Sequence, residues 1–167
     1  GCNKRCRGCC NPAYLQLVER EFVSASSVLD WLEDAHHAHD LEGVTFLGGE
    51  PMLQAQGLTV VAQGAQSLGL SVMVFSGYTK NELDVLQLPG VDQLIRYTDV
   101  LVDGPYEVNL PEQNRRWAGS TNQQFHYLTT RYDARIESDG EVERVLEVRL
   151  RTDGSMFING WPEKVLR

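Results

Sequence analysis

The chain has 167 residues, 42% hydrophobic and 23% charged, with 15 Lys+Arg against 23 Asp+Glu and a formal net charge of −8. That length suits one domain with a sizeable core, and the composition is ordinary for a soluble protein. The acidity makes following a nucleic-acid phosphate backbone a poor main role, and no apolar run approaches the ~20 residues that span a bilayer.

The chain opens on its richest chemistry. All four cysteines, Cys2, Cys6, Cys9 and Cys10, fall within the first ten residues. A disulfide scaffold spreads its cysteines to tie distant segments together, and the adjacent Cys9 and Cys10 are awkward partners for one another. So tight a cluster reads as a metal site in a reducing compartment, which makes the cytoplasm the expected location. The spacing Cys2-x3-Cys6-x2-Cys9 puts three thiolates on one short loop, where they can hold an iron–sulfur cluster. Three ligands leave one iron of a four-iron cluster open to a substrate or cofactor. A structural zinc held by all four thiols is the competing reading, and the adjacency of Cys9 and Cys10 weighs against it.

Asn11-Pro12 ends the cysteine loop. Ser26 and Ser27 are candidate N-caps for a helix that carries Val28, Leu29, Trp31 and Leu32 and runs to about His39 or Asp40. Its His36, His37 and His39 form a solvated run, because no acidic partner completes a metal site. Val44 to Leu47 is a short strand that stops at Gly48-Gly49-Glu50-Pro51. A helix from about Leu58 to Leu68 follows, ended by Gly69. Leu70 to Phe75 reads as a buried strand, Lys80 to Leu86 as a helix, and Asp99 to Asp103 as a third strand. Strands alternating with helices argue for parallel βα units, with sites at the carboxyl ends of the strands. In the tail, Leu146, Val148 and Leu150 alternate with charged residues and Asp153-Gly154 is a turn signal. An antiparallel hairpin is therefore expected over about 143–159. The whole chain reads as one domain, with a core over 1–125 and a β-rich tail over about 126–167.

The cysteine spacing followed by Gly48-Gly49-Glu50-Pro51 after a strand resembles the radical S-adenosylmethionine enzymes. Further along come Ser76-Gly77-Tyr78-Thr79, then Asp99 to Tyr106 (DVLVDGPY), then Arg116 to Gln123 (RWAGSTNQ). In that order they resemble the successive motifs of the anaerobic ribonucleoside-triphosphate reductase activating proteins. The resemblance covers about residues 1 to 125. It implies a partial (βα) barrel whose first strand is missing here, since family members usually carry a strand before the first cysteine. The position after the third cysteine, often His in that group, is Cys10 here, where the expected role is a bystander thiol. The implied cofactors are a [4Fe-4S] cluster on Cys2, Cys6 and Cys9 and S-adenosylmethionine on its open iron. The implied activity is reductive cleavage of that molecule to a 5′-deoxyadenosyl radical. The implied partners are a glycyl-radical enzyme and an electron donor such as flavodoxin or ferredoxin.

The residues have local readings beside the resemblance. Gly48 and Gly49 let backbone approach a ligand, and Glu50 offers a carboxylate to the cofactor's methionine ammonium; a plain strand-to-helix turn is the bland reading. Ser76 either contacts the cofactor or caps a helix. Asp103 either lies near the cofactor or stabilises a turn. The segment Gly104 to Gln123 is long for a βα loop, and Arg115-Arg116-Trp117 within it resembles a protein-contact hot spot, against a core Trp with surface arginines. Two other functions stay open: a radical enzyme acting on a small molecule or peptide, and a non-catalytic iron–sulfur or zinc protein.

Overall fold

The computed structural model describes residues 1–138, together with the backbone of two further strands at 146–150 and 156–160. After the cysteine loop, Ser24 opens α1 (Ala25–His39) by accepting the Ser27 amide at 3.0 Å. The cap therefore lies ahead of the expected Ser26 and Ser27, whose hydroxyls rest 2.9 and 2.8 Å from that of Ser24. The helix stops where Asp40 turns left-handed, its amide donating to the His36 carbonyl at 2.9 Å. Val28, Leu29 and Leu32 give one face to the core, while Trp31 stays exposed.

Next come β1 (Gly43–Phe46), a short 3-10 turn at Pro51–Gln54, and α2 (Ala55–Ser67). The helix starts three residues earlier than its apolar pattern suggests because the turn at Pro51 feeds straight into it. It ends in a Schellman arrangement, with the Gly69 amide on the Gln66 carbonyl and the Leu70 amide on that of Ala65. β2 (Ser71–Phe75) follows, then α3 (Lys80–Leu86), whose expected bounds are those observed. Thr79 and Glu82 form a reciprocal capping box at its start. α4 (Val91–Arg96) was not anticipated, since six residues are too few for a helical period to show. It holds because Val91 and Leu94 are buried.

β3 (Val100–Asp103) is parallel to β2, which is parallel to β1. β4 (Gln124–Tyr127) returns antiparallel along β3, pairing Val100 with Tyr127 and Asp103 with Gln124. This strand was also unanticipated: one exposed and three half-buried residues carry almost no apolar pattern, and the β3 edge supplies the pairing. The result is a mixed α/β arrangement around a four-stranded sheet of order β1-β2-β3-β4. Val72, Val74, Val100, Leu101 and Val102 are fully buried, as strands covered on both faces should be. The three parallel strands bring their carboxyl ends to one rim. In the tail, β5 (Leu146–Leu150) and β6 (Met156–Gly160) pair antiparallel, as the alternation predicts. The expected turn at Asp153-Gly154 lies outside the described residues. Among the described residues no helix is long and apolar enough to cross a membrane.

Candidate functional site

Glu50 sits just beyond β1 at 1% exposure, and its carboxylate joins two strand ends. Oε1 accepts the Met52 amide at 3.1 Å and the Ser76 hydroxyl at 2.9 Å; Oε2 accepts the Gly77 amide at 2.8 Å. Burial pushes the carboxyl's pKa up, against the pull of these three donors and of the Lys4 charge. A carboxylate offers about four acceptor places. Three are filled within the chain, which leaves one on Oε2.

Ser76, 4% exposed, spends both functions of its hydroxyl internally, donating to Glu50 and accepting the Tyr78 amide at 3.1 Å. Its observed contact is thus with the carboxylate it orients. Asp103, 3% exposed, accepts the Lys80 amide at the start of α3, and its Oδ2 lies 3.0 Å from His126 Nε2. It stands on the same rim as Glu50, joined through the next residue, whose amide donates to the Tyr78 carbonyl at 3.1 Å.

The two glycines ahead of Glu50 differ. A Cβ on Gly49 would lie 2.2 Å from the Gly1 carbonyl oxygen, which also accepts the Glu50 amide at 2.9 Å. Its bareness therefore admits the chain's own first residue. Gly48 has φ +134 and nothing within 4 Å of a Cβ position, so this backbone faces open space.

The cysteine loop is thereby seated beside Glu50. Cys2, Cys6 and Cys9 are half-buried free thiols, and Cys10 is exposed. The loop coils through left-handed turns at Arg5 and Gly8. Burial pushes the Cys6 thiol up, an amide hydrogen bond from Tyr106 draws it down, and nearby Cys2 and Cys9 push it up again. Cys9 Sγ accepts the Asn11 amide at 3.4 Å. Among the described residues no three ligating side chains converge tightly enough for a single metal ion. A cluster distributes its ligating sulfurs over several irons, so its thiols need not meet at one point. Three free thiols, two receiving amide hydrogen bonds, and an open glycine backbone beside a buried carboxylate fit a cluster and an amino-acid-bearing cofactor. The histidine run falls on the final turn of α1, where His37 and His39 are exposed and His36 is half-buried.

Two features escaped the motif reading. Asn3 and Lys4, between Cys2 and Cys6, both reach Tyr78. Asn3 Nδ2 donates to the Tyr78 hydroxyl, and Lys4 Nζ stands 4.3 Å from the ring centroid. Lys4 also pairs with Glu82 at 3.2 Å. The second feature is the organisation of the long loop. Glu112 Oε1 accepts the amides of Gln113, Asn114 and Arg115, and Oε2 accepts Arg115 Nε at 2.7 Å. Burial alone would raise the Glu112 carboxyl, but these donors bring it down to about 2. Arg115 then donates to the carbonyls of Gln123 and Thr121. The loop packs on the cysteine loop where Tyr106 and Val108 approach Gly8. Trp117 is not core: it is 47% exposed, with φ 63.

A family model described as a 4Fe-4S single cluster domain matches residues 1–126. Among curated proteins, an anaerobic ribonucleoside-triphosphate reductase-activating protein of Vibrio cholerae is 30% identical over 143 residues, covering 77% of this chain and 84% of the relative. One of Escherichia coli K12 is 29% identical over 136 residues with the same coverage. One of Enterobacteria phage T4 is 26% identical over 130 residues, covering 75% of this chain and 78% of its own. No solved structure matches.

Proposed function

Because the chain belongs to the anaerobic ribonucleoside-triphosphate reductase-activating protein family, built on a 4Fe-4S single cluster domain, we propose that it generates a glycyl radical on a partner reductase. In this reading Cys2, Cys6 and Cys9 hold a [4Fe-4S] cluster, and Glu50 with the Gly48 backbone receives S-adenosylmethionine at the open iron. The chemistry this cluster supplies when bound is one-electron cleavage of the sulfonium to methionine and a 5′-deoxyadenosyl radical, which takes a hydrogen atom from a glycine of the partner. The electron comes from a donor such as flavodoxin or ferredoxin. The parallel strands β1 to β3 are read as part of a partial (βα) barrel.

The chain's own residues do the holding. The Tyr106 amide favours the thiolate form of Cys6, and the Asn11 amide holds the Cys9 sulfur in place. The last acceptor place on Glu50 Oε2 takes the methionine ammonium as a charge-assisted bond. Ser76 and the Gly77 amide fix the plane of that carboxylate, so it is oriented before the cofactor arrives.

The observation that carries the proposal is the seating of a three-thiol loop on the strand end bearing the buried Glu50, through the Gly1 carbonyl and the Glu50 amide. The test is anaerobic reconstitution followed by an assay for 5′-deoxyadenosine under reducing conditions. Brown protein with about four irons per chain and reductant-dependent product supports it. Colourless protein holding stoichiometric zinc, or iron-loaded protein that yields no 5′-deoxyadenosine, overturns it.

A further inference from the structure

We infer that Tyr78 is a positioning residue, clamping the cysteine loop to the turn between β2 and α3 and so governing how firmly that loop keeps its cluster. The clamp stands on contacts within the chain; its consequence for the cluster rests on the function proposed above.

Tyr78 is 6% exposed, and it reaches three segments of the rim at once. Its hydroxyl accepts Asn3 Nδ2, and its ring face receives the Lys4 ammonium, whose other partner is Glu82. Its amide donates to Ser76 Oγ, which holds Glu50, and its carbonyl accepts the Gly104 amide, where the long loop begins. Asn3 and Lys4 lie inside the Cys2–Cys6 span, so both side-chain contacts act between two cluster ligands. Residues 1–11 form no helix or strand. Such a loop loses conformational entropy when its thiols are fixed on a cluster, and a side-chain anchor lowers that loss by ordering the loop beforehand. The ring alone would serve as core filling, which Phe supplies equally well. The hydroxyl is the element that packing does not explain.

The experiment compares wild type with Tyr78→Phe, Asn3→Ala and the double variant, all as full chains with melting temperatures recorded. In the cluster-free proteins, alkylation of Cys2 and Cys6 is timed. In the reconstituted proteins, iron release to a ferrous chelator is timed. Losing one neutral hydrogen bond should speed both processes about 3- to 10-fold at unchanged melting temperature and unchanged initial iron content. The double variant should be no faster than either single one, because all three lack the same bond. Wild-type rates in Tyr78→Phe, or rate increases that multiply in the double variant, overturn the clamp. A change only in melting temperature also overturns it, making Tyr78 core filling. Should wild type take up no iron, the functional reading fails, and the alkylation rates still decide the clamp.

Discussion

Replacing Glu50 by Gln separates the two duties of this carboxylate. The amide nitrogen must take the place of one oxygen. At Oε1 it would face two donors, the Met52 amide and the Ser76 hydroxyl; at Oε2 it faces one, the Gly77 amide. The second orientation is cheaper: only the Gly77 amide loses its acceptor and faces the new N–H group, a cost of about 1–3 kcal/mol. Removing a charge whose burial is unfavourable offsets part of this, so urea unfolding should show a loss toward the low end. The effect on S-adenosylmethionine should be larger. The remaining acceptor place becomes a donor, and a charge-assisted bond of about 1.5–3 kcal/mol disappears, equivalent to roughly 10- to 100-fold in affinity. Anaerobic calorimetric titration of the reconstituted variant measures it. Lost stability with an unchanged dissociation constant would refute the reasoning and make Glu50 a brace between strand ends. The wild-type pH dependence gives a second check. Because the folded carboxyl titrates above its ordinary value, affinity should begin to fall at a pH above the usual glutamate range. Stability should move the opposite way: the folded chain binds the proton first, so stability rises as pH falls through the interval between folded and unfolded values.

Cys2→Ala, Cys6→Ala or Cys9→Ala should each abolish stoichiometric iron after anaerobic reconstitution, while Cys10→Ala should keep it; iron analysis decides. Gly49→Ala should displace Gly1 and cost about 1–3 kcal/mol by overpacking, with faster loss of iron, as measured by unfolding and chelation. Trp117→Ala should suppress the glycyl-radical doublet in electron paramagnetic resonance with a partner reductase, yet leave uncoupled cleavage of S-adenosylmethionine and the melting temperature unchanged. Glu112, held at about 2, should stabilise the loop fully above the ordinary glutamate value and lose that contribution as pH falls toward 2. A carboxyl resonance that titrates near 4.5 would contradict the three-amide arrangement.

The parts of the fold that depend on long apolar or punctuated patterns were legible in the sequence. α3 keeps its expected bounds because Thr79-x-x-Glu82 writes its own start, and the buried strands β2 and β3 announce themselves as valine-rich runs. α4 and β4 were not legible. One is a single burial event at Val91 and Leu94, and the other borrows its hydrogen bonds from β3. At the site, residue types and order located Glu50, Ser76 and Asp103 on one rim. What they touch was not readable, because those contacts form between segments about 20 or more residues apart: Ser76 to Glu50, Asp103 to the Lys80 amide, Asn3 to Tyr78. Gly49 is the sharpest case. Its sequence context suggests room for a ligand, whereas the space is taken by Gly1.

The network around Glu112 bears on how a protein would meet Trp117. Apart from the contacts of Arg115 and Arg116 with Glu137, the hydrogen bonds traced for residues 112–123 run within the loop or to Gly104, Pro105, Glu107 and Leu110 at its own start. Within this loop Trp117 adopts a left-handed backbone conformation that costs a bulky residue energy. The expense of that geometry is met during folding, when the loop closes on itself, and not during association. A loop whose backbone is already ordered does not have to be ordered at the moment of encounter. A surface of this kind engages without first rearranging, so substitutions in it should change how long a complex persists more than how quickly it forms.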